Sequence, residues 1–259
     1  MIIPCSVTTG ATAISTLASA QYSEGVEEVL NAAAGNYQAE FVNVLRQIPR
    51  VSVGTRLINA LAAASLGNGA LFFRSQADGG VGGSSYVSMV GTNGKVMTVP
   101  RTINWSAGGV AVLAMEMAFL SSDGVSAPIT VGSTAGDLTA ESAEWVGDSD
   151  QVKSIDVDFG YDVSYPADGK LYAVHPFIVS QRPKLSYVTF DPTLLTTARV
   201  NPGSITTASA VFAQCANGGV RGATLTFTLT GRVRVAQVDG ARPGTIQVVC
   251  SGTGGFTIS

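Results

Sequence analysis

Between Val152 and Phe159 the chain alternates strictly: Ile155, Val157 and Phe159 fall on one side, Ser154, Asp156 and Asp158 on the other. Only a β-strand sends successive side chains to opposite faces, so this segment requires a sheet with one buried face. Related runs recur at Ala70–Arg74, Tyr86–Val90, Lys95–Val99, Lys170–Val174, Phe177–Val179 and Leu185–Phe190. Towards the C-terminus they continue at Thr224–Thr230, Arg232–Val235, Thr245–Val249 and Phe256–Ile258. Gly91-Thr92-Asn93-Gly94 between two of these runs reads as a hairpin turn. Val110–Leu120 places Val112, Ala114, Glu116 and Ala118 on one face if it is a strand. Strands this frequent, set off by Gly and Asn, predict a mainly β fold, a sandwich or barrel carrying one or two α-helices.

The helical signals lie in the first quarter. Ser23, followed by Glu24, Glu27 and Glu28, supplies a cap and an acidic first turn, and Val26, Val29 and Leu30 give a short stripe ending at Gly35-Asn36. A second helix is expected from Thr55 to Leu66, with Leu57, Ile58, Leu61, Ala62 and Leu66 on one face and Gly67-Asn68-Gly69 as its stop. Residues 1–36 therefore read as a polar, small-residue arm with a short helix, and 37–259 as one β-rich domain. Ala18-Ser19-Ala20 looks like a cleavage site, but no Lys or Arg precedes Arg46 and Thr and Ser dilute any apolar core, so a signal peptide is not expected.

Charge is scarce. Charged residues make up 13% of the chain and hydrophobic ones 46%, where a soluble domain carries about 25% charged residues. A surface with so little charge needs a cover, either lipid or further protein. The longest apolar run, Leu57–Leu66, is interrupted by Asn59 and Ser65, whereas a spanning helix needs about 20 apolar residues. A membrane β-barrel gives a weaker signal, but no aromatic girdle pattern is visible and aromatics amount to 7%, so membrane insertion is not expected and repeated protein contact is. A net charge of −3 argues against a basic face that grips nucleic acid.

Catalytic or ligand-binding constellations are hard to find. His175 is the one histidine, and it has no clustered Cys to join it as a metal ligand. No G-x-S-x-G elbow occurs. Gly79-Gly80-Val81-Gly82-Gly83 lacks the Lys-Ser/Thr of a phosphate loop and reads as a flexible connection between strands. Asp156 and Asp158 share a strand face at a spacing of about 7 Å, which suits a weak cation site or a solvated acidic surface. Cys5, Cys215 and Cys250 are too few for a disulfide framework, and pairing of Cys215 with Cys250 stays open. No catalytic residue, cofactor or metal is assigned.

From about Arg50 to Asp191 the order of features resembles the tail tube proteins of long-tailed bacteriophages. The likeness is carried by Leu71-Phe72-Phe73-Arg74-Ser75-Gln76-Ala77-Asp78-Gly79-Gly80, by Ala127-Pro128-Ile129, by Val152 through Val163, and by Asp168-Gly169-Lys170-Leu171-Tyr172 with a proline-led strand near Pro183. The segment up to Asn36 and the strands after Arg199 have no counterpart, and a proline expected directly after Tyr172 falls at Pro176. These departures bring in a tube-terminating or baseplate-adjacent relative.

The resemblance implies a structural, non-enzymatic virion protein, assembled in the host cytoplasm into the tail. Hexameric rings would join their inner strands into a ring-wide barrel and stack into a channel for DNA ejection. Partners would be further copies, neighbouring tail or neck proteins, and double-stranded DNA passing without specific binding. Asp156 and Asp158 would face the lumen, where an acidic wall does not retard DNA. Asp78, Gly79, Gly80, Val81, Gly82 and Gly83, with the N-terminal arm, would make ring-to-ring contacts. Other readings are a neck, capsid-decoration or fibre protein, a carbohydrate-binding or adhesive domain that would use Trp105 and Trp145, or a hydrolase with an unrecognised site.

Overall fold

A computed structural model describes residues 2–9, 12–14, 17–31, 41–59, 66–67, 69–76, 82–91, 95–135, 144–148, 151–166, 168–193, 206–215, 221–240 and 244–259. Within them the regular structure is almost entirely antiparallel β, and none of these residues is in an α-helix. The alternating segment forms β14 (Val152–Asp158), at the centre of a twelve-stranded sheet. It pairs with β10 (Val96–Ser106) on one side and β17 (Lys184–Thr189) on the other. Beyond β10 come β11 (Val112–Phe119), β6 (Arg50–Thr55) and β3 (Leu17–Ser23). Beyond β17 come β20 (Thr245–Gly252), β19 (Arg221–Asp239), β18 (Thr206–Cys215) and β13 (Glu144–Gly147). The short strands β7 (Leu66–Gly67) and β21 (Thr257–Ile258) attach to β10 and β19.

A sheet of this width twists and cannot stay open and flat. Here it rolls until its β13 end meets its middle. The Ala111 amide donates to the Trp145 carbonyl at 2.7 Å, and Trp105 lies so close to Gly147 that a Cβ there would collide with the indole. Inside the roll Ile103, Leu113, Met117, Val157, Leu185, Phe212, Phe227 and Leu229 are fully buried. Phe227 stands edge-on to Phe159, Phe212 and Phe256, with centroids 5.7–6.3 Å away. Each large side chain removed from water in this way contributes about 1.5–3 kcal/mol. A mainly β fold with a large antiparallel sheet and an apolar interior is thus the part of the expectation that the fold supports.

A second sheet of five strands runs β12 (Ile129–Ala135), β9 (Gly82–Gly91), β8 (Gly69–Gln76), β1 (Ile2–Thr9) and β2 (Thr12–Ile14). Val7 and Ile14 from this sheet are fully buried in the main core. The stretch read as a polar arm therefore supplies β1, β2 and β3 to both sheets.

Several sequence expectations are corrected. The helix expected after Ser23 is β4 (Val26–Asn31), paired with β5 (Phe41–Gln47). Val26, Val29 and Leu30 are all exposed on this ribbon, so no buried face imposes a two-residue period on them. The second expected helix begins inside β6 and ends inside β7; Leu57 and Ile58 are buried, and residues 60–65 lie outside the described residues. The hairpin expected around Gly91–Gly94 does not form, because β9 pairs with β8 and β12 while β10 lies between β11 and β14. Lys170–Val174 is not a strand; it follows a turn at Asp168 and Gly169, both at positive φ, and makes a single bridge from Tyr172 to Gln47. The runs Thr224–Thr230 and Arg232–Val235 are one strand, passing through Gly231, where the Ser251 carbonyl leaves no room for a Cβ.

Candidate functional site

The acidic pair lies on the outer face of β14, where strand alternation puts it. Asp156 faces Asn104 and Ser186 on the neighbouring strands, and Asp158 faces Thr102 and Lys184. Asp158 Oδ1 accepts the Gly160 amide at 2.9 Å, so part of its capacity closes a local turn. Partial burial, then the Asp158 charge, hold the Asp156 carboxyl above its ordinary pKa, and Lys184 pulls the other way. Around Asp156 a shallow depression is lined by Asn104, Ser106, Ser154, Ser186 and Gln247. The same polar character continues on β18 and β19, where the Ser209 and Thr228 hydroxyls are 3.1 Å apart. This face offers hydroxyls and amides with little net charge. Among the described residues no group of His, Cys, Asp and Glu is arranged to hold a metal ion.

The surface is different on two antiparallel ribbons outside both sheets. One is β4–β5; the other pairs β15 (Tyr161–Ser164) with β16 (Phe177–Gln181). On the first, Leu30 is 65% exposed and Leu45 58% exposed, with Val42 and Val44 also open. On the second, Phe177, Ile178 and Val179 are consecutive and each more than half exposed. Two-stranded ribbons are marginal on their own, so what fixes them lies at their roots.

Both roots meet in a small core of Ile48, Ala118, Leu120, Tyr165 and Ala173, separate from the main one. Gly25, at φ 57°, turns the chain so that the Ile48 amide donates to its carbonyl at 3.2 Å; the Gln47 amide donates to the Leu171 carbonyl at 2.8 Å. A charged staple reinforces this core. Glu116, on β11, takes Arg101 Nη2 at 2.7 Å and Arg50 Nη1 at 3.3 Å. Arg101 Nη1 also donates to the Tyr161 carbonyl at 2.6 Å. Arg50 sits 5.0 Å over the Tyr165 ring, and Arg46, paired with Glu27, donates to the Tyr165 carbonyl. Burial first, and the Glu116 charge second, push the Tyr165 hydroxyl up to about 12. The ribbons are thus held at their bases and bare along their lengths.

The remaining sequence candidates are scattered. His175 is exposed in the connection leading into β16. Trp105 and Trp145 are buried core residues, and Trp105 Nε1 donates to the Gly109 carbonyl at 3.0 Å, so neither is a stacking platform. Cys215 and Cys250 are both free thiols, the first exposed and the second buried. Of the glycine-rich loop, Gly82 and Gly83 open β9 and Gly82 faces Gln76, while Asp78–Val81 lie outside the described residues. Sequence reasoning expected a strand at Phe177–Val179 but not that it stands open, and it missed the β4–β5 ribbon and the Glu116 staple. The apolar pairs Val29-Leu30 and Val44-Leu45 were visible, but nothing in them distinguishes an open ribbon from a core strand. It also missed Asp123, whose carboxylate accepts the Val125 and Ser126 amides and the Ser121 and Ser126 hydroxyls, which hold it well below the usual carboxylate range. That set orders a surface loop packed under Lys170. Compared with known proteins, the chain matches no family model, and no curated protein shows significant similarity to it.

Proposed function

We propose that this protein is a structural subunit that works by assembling with copies of itself, and that its assembly is a virion tail tube or a tube-like tail component. The observation that carries the reading is the row of large apolar side chains left open on β4–β5 and β15–β16, in a chain with only 13% charged residues. Apolar surface of this kind on an ordered ribbon marks a contact with another macromolecule. The resemblance of Arg50–Asp191 to tail tube proteins supplies the form: rings of subunits, stacked, with a channel along the axis.

In that form the polar outer face of β10, β14 and β17 lines the channel. Asp156 and Asp158 then present negative charge to passing DNA, with Lys184 facing Asp158 from β17 and hydroxyl and amide groups around them. Negative-stain microscopy of the purified protein tests the reading. Rings or tubes are the expected result, shells or fibres favour another virion component, and isolated particles of single-subunit size overturn self-assembly. The double variant Asp156→Asn, Asp158→Asn is expected to assemble like the wild type; loss of assembly gives the pair a structural role instead.

A further inference from the structure

The two ribbons leave the large sheet at the same bend, built twice. β3 runs into β4 through Glu24 and Gly25, and β14 runs into β15 through Phe159 and Gly160. On the returning strands Ile48-Pro49 separates β5 from β6, and Arg182-Pro183 separates β16 from β17. The registers coincide. Ser23 pairs with Arg50 on the sheet side of the first bend, and Val26 with Gln47 on the ribbon side. At the second bend Asp158 pairs with Lys184 and Tyr161 with Gln181.

The hydrogen bonds coincide as well. Both glycines are left-handed, at φ 57° and 62°. Each donates its amide to the side chain two residues back, Ser23 Oγ at 3.3 Å and Asp158 Oδ1 at 2.9 Å. Each glycine carbonyl accepts the amide opposite, from Ile48 at 3.2 Å and from Arg182 at 2.8 Å. A Cβ on either glycine would collide with the carbonyl oxygen of that same opposite residue. The prolines have no amide to continue the ladder, and their carbonyls accept from the next strand of the sheet, Phe119 at Pro49 and Gly252 at Pro183, both at 2.9 Å. A bend whose interrupted ladder is replaced by local hydrogen bonds is a set angle, not a loose joint.

The bends are also tied to each other. Ile48, at the first, packs in the small core with Tyr165, which follows β15, and Ala173, which precedes β16. The Gln47 amide bonds Leu171 in the connection between β15 and β16, and Arg46 bonds the Tyr165 carbonyl. Glu116 holds Arg50 at the foot of one ribbon and Arg101 at the foot of the other, where Arg101 also holds the Tyr161 carbonyl.

We infer that the two ribbons form one conformational unit: each is set by its own copy of the bend, the shared core latches the two bends together, and both ribbons open together while the rolled sheet stays closed. A segment with a small core of its own opens as a unit at a lower free energy than the whole fold. Coupling of this kind is reciprocal, so loosening either bend loosens the other. It holds whatever the ribbons bind, and a subunit then presents both apolar rows in place or neither.

Hydrogen exchange of the dilute full-length protein, followed by NMR, tests this. The Ile48 and Arg182 amides report on the two bends, and the Ala111 amide, bonded to the Trp145 carbonyl across the roll, is the control. Gly25→Ala puts a Cβ on a left-handed residue and is expected to speed exchange at Ile48 roughly tenfold or more. Arg182, in the other bend, should accelerate by a comparable factor while Ala111 does not change. Gly160→Ala should give the same pattern from the other side. Ile48→Ala leaves both glycines in place and cuts into the shared core, and is expected to speed exchange at Arg182 roughly tenfold or more; it carries the test if circular dichroism shows that a glycine variant has lost its β signal. Acceleration confined to the altered bend, or an unchanged Arg182 amide in Ile48→Ala, would overturn the coupling. Acceleration of Ala111 together with both reporters would also overturn it, because the ribbons would then open only with the whole fold.

Discussion

Val157 and Val44 each lie in a strand, beside an Asp and a Leu respectively, yet one is fully buried and the other is 45% exposed. The first belongs to the rolled sheet, where β13 folds back over β10 and the inward apolar side chains are buried. The second belongs to a two-stranded ribbon that pairs with neither large sheet among the described residues. Apolar residues in the roll are spent on folding. Those on the ribbons stay open to solvent, and the proposed assembly is what would cover them.

That contrast makes predictions that fall in order of size. Phe227 lies at the centre of the roll, touching three aromatic rings. Phe227→Ala is expected to cost about 3–5 kcal/mol, read as a fall in the denaturant midpoint; a change near zero would mean that the roll is not the stabilising core. Next comes the staple that ties the ribbons to the sheet. Glu116→Gln leaves Arg50 and Arg101 without their counter-charge and is expected to cost about 1–3 kcal/mol. Hydrogen exchange should locate the loss at Tyr161–Ser164 and the Gln47 amide, sparing β14. Equal loss across the large sheet would show that Glu116 supports the whole fold rather than the ribbon roots.

A smaller effect is expected from Asp156. Its folded pKa is raised, so ionisation opposes the folded state, and the stability present at low pH is lost as pH rises through that pKa. Asp156→Asn should therefore be slightly more stable than wild type at pH 7. The difference should vanish below the ordinary aspartate value of about 3.9, where both side chains are neutral. Denaturation curves at neutral and acid pH measure this, and a variant less stable at pH 7 would reverse the sign. The smallest effect on the monomer belongs to the ribbon. Val42→Thr with Leu45→Asn exchanges exposed apolar groups for polar ones and should move stability by no more than about 0.5 kcal/mol, while association falls.

How much of this was legible depends on what each pattern encodes. Strict alternation at Val152–Asp158 identifies β14 and its buried face because a period of two has one structural meaning. Asp156 and Asp158 are on the outer face for the same reason. β4 escapes the rule: it lies outside both sheets, and Val26, Val29 and Leu30 are exposed, so they need not follow a period of two. Gly91–Gly94 signals a chain reversal but carries no information about which sheet the next strand joins, so β9 and β10 separate unannounced. The ribbons were hidden for a deeper reason. Leu30 and Leu45 look like core residues in the sequence, and only the absence of a covering layer among the described strands shows that they are not. Glu116 was legible as part of a strand face, but its two arginines come from positions 50 and 101 and meet only in the fold.

The proposed assembly requires that the apolar ribbons bind further copies of this chain. Sedimentation velocity of the wild-type protein over a wide concentration range tests it most directly. Species well above the 26.5 kDa of one chain are expected, growing with concentration and diminished by Val42→Thr with Leu45→Asn. A single 26.5 kDa boundary at every concentration would contradict it.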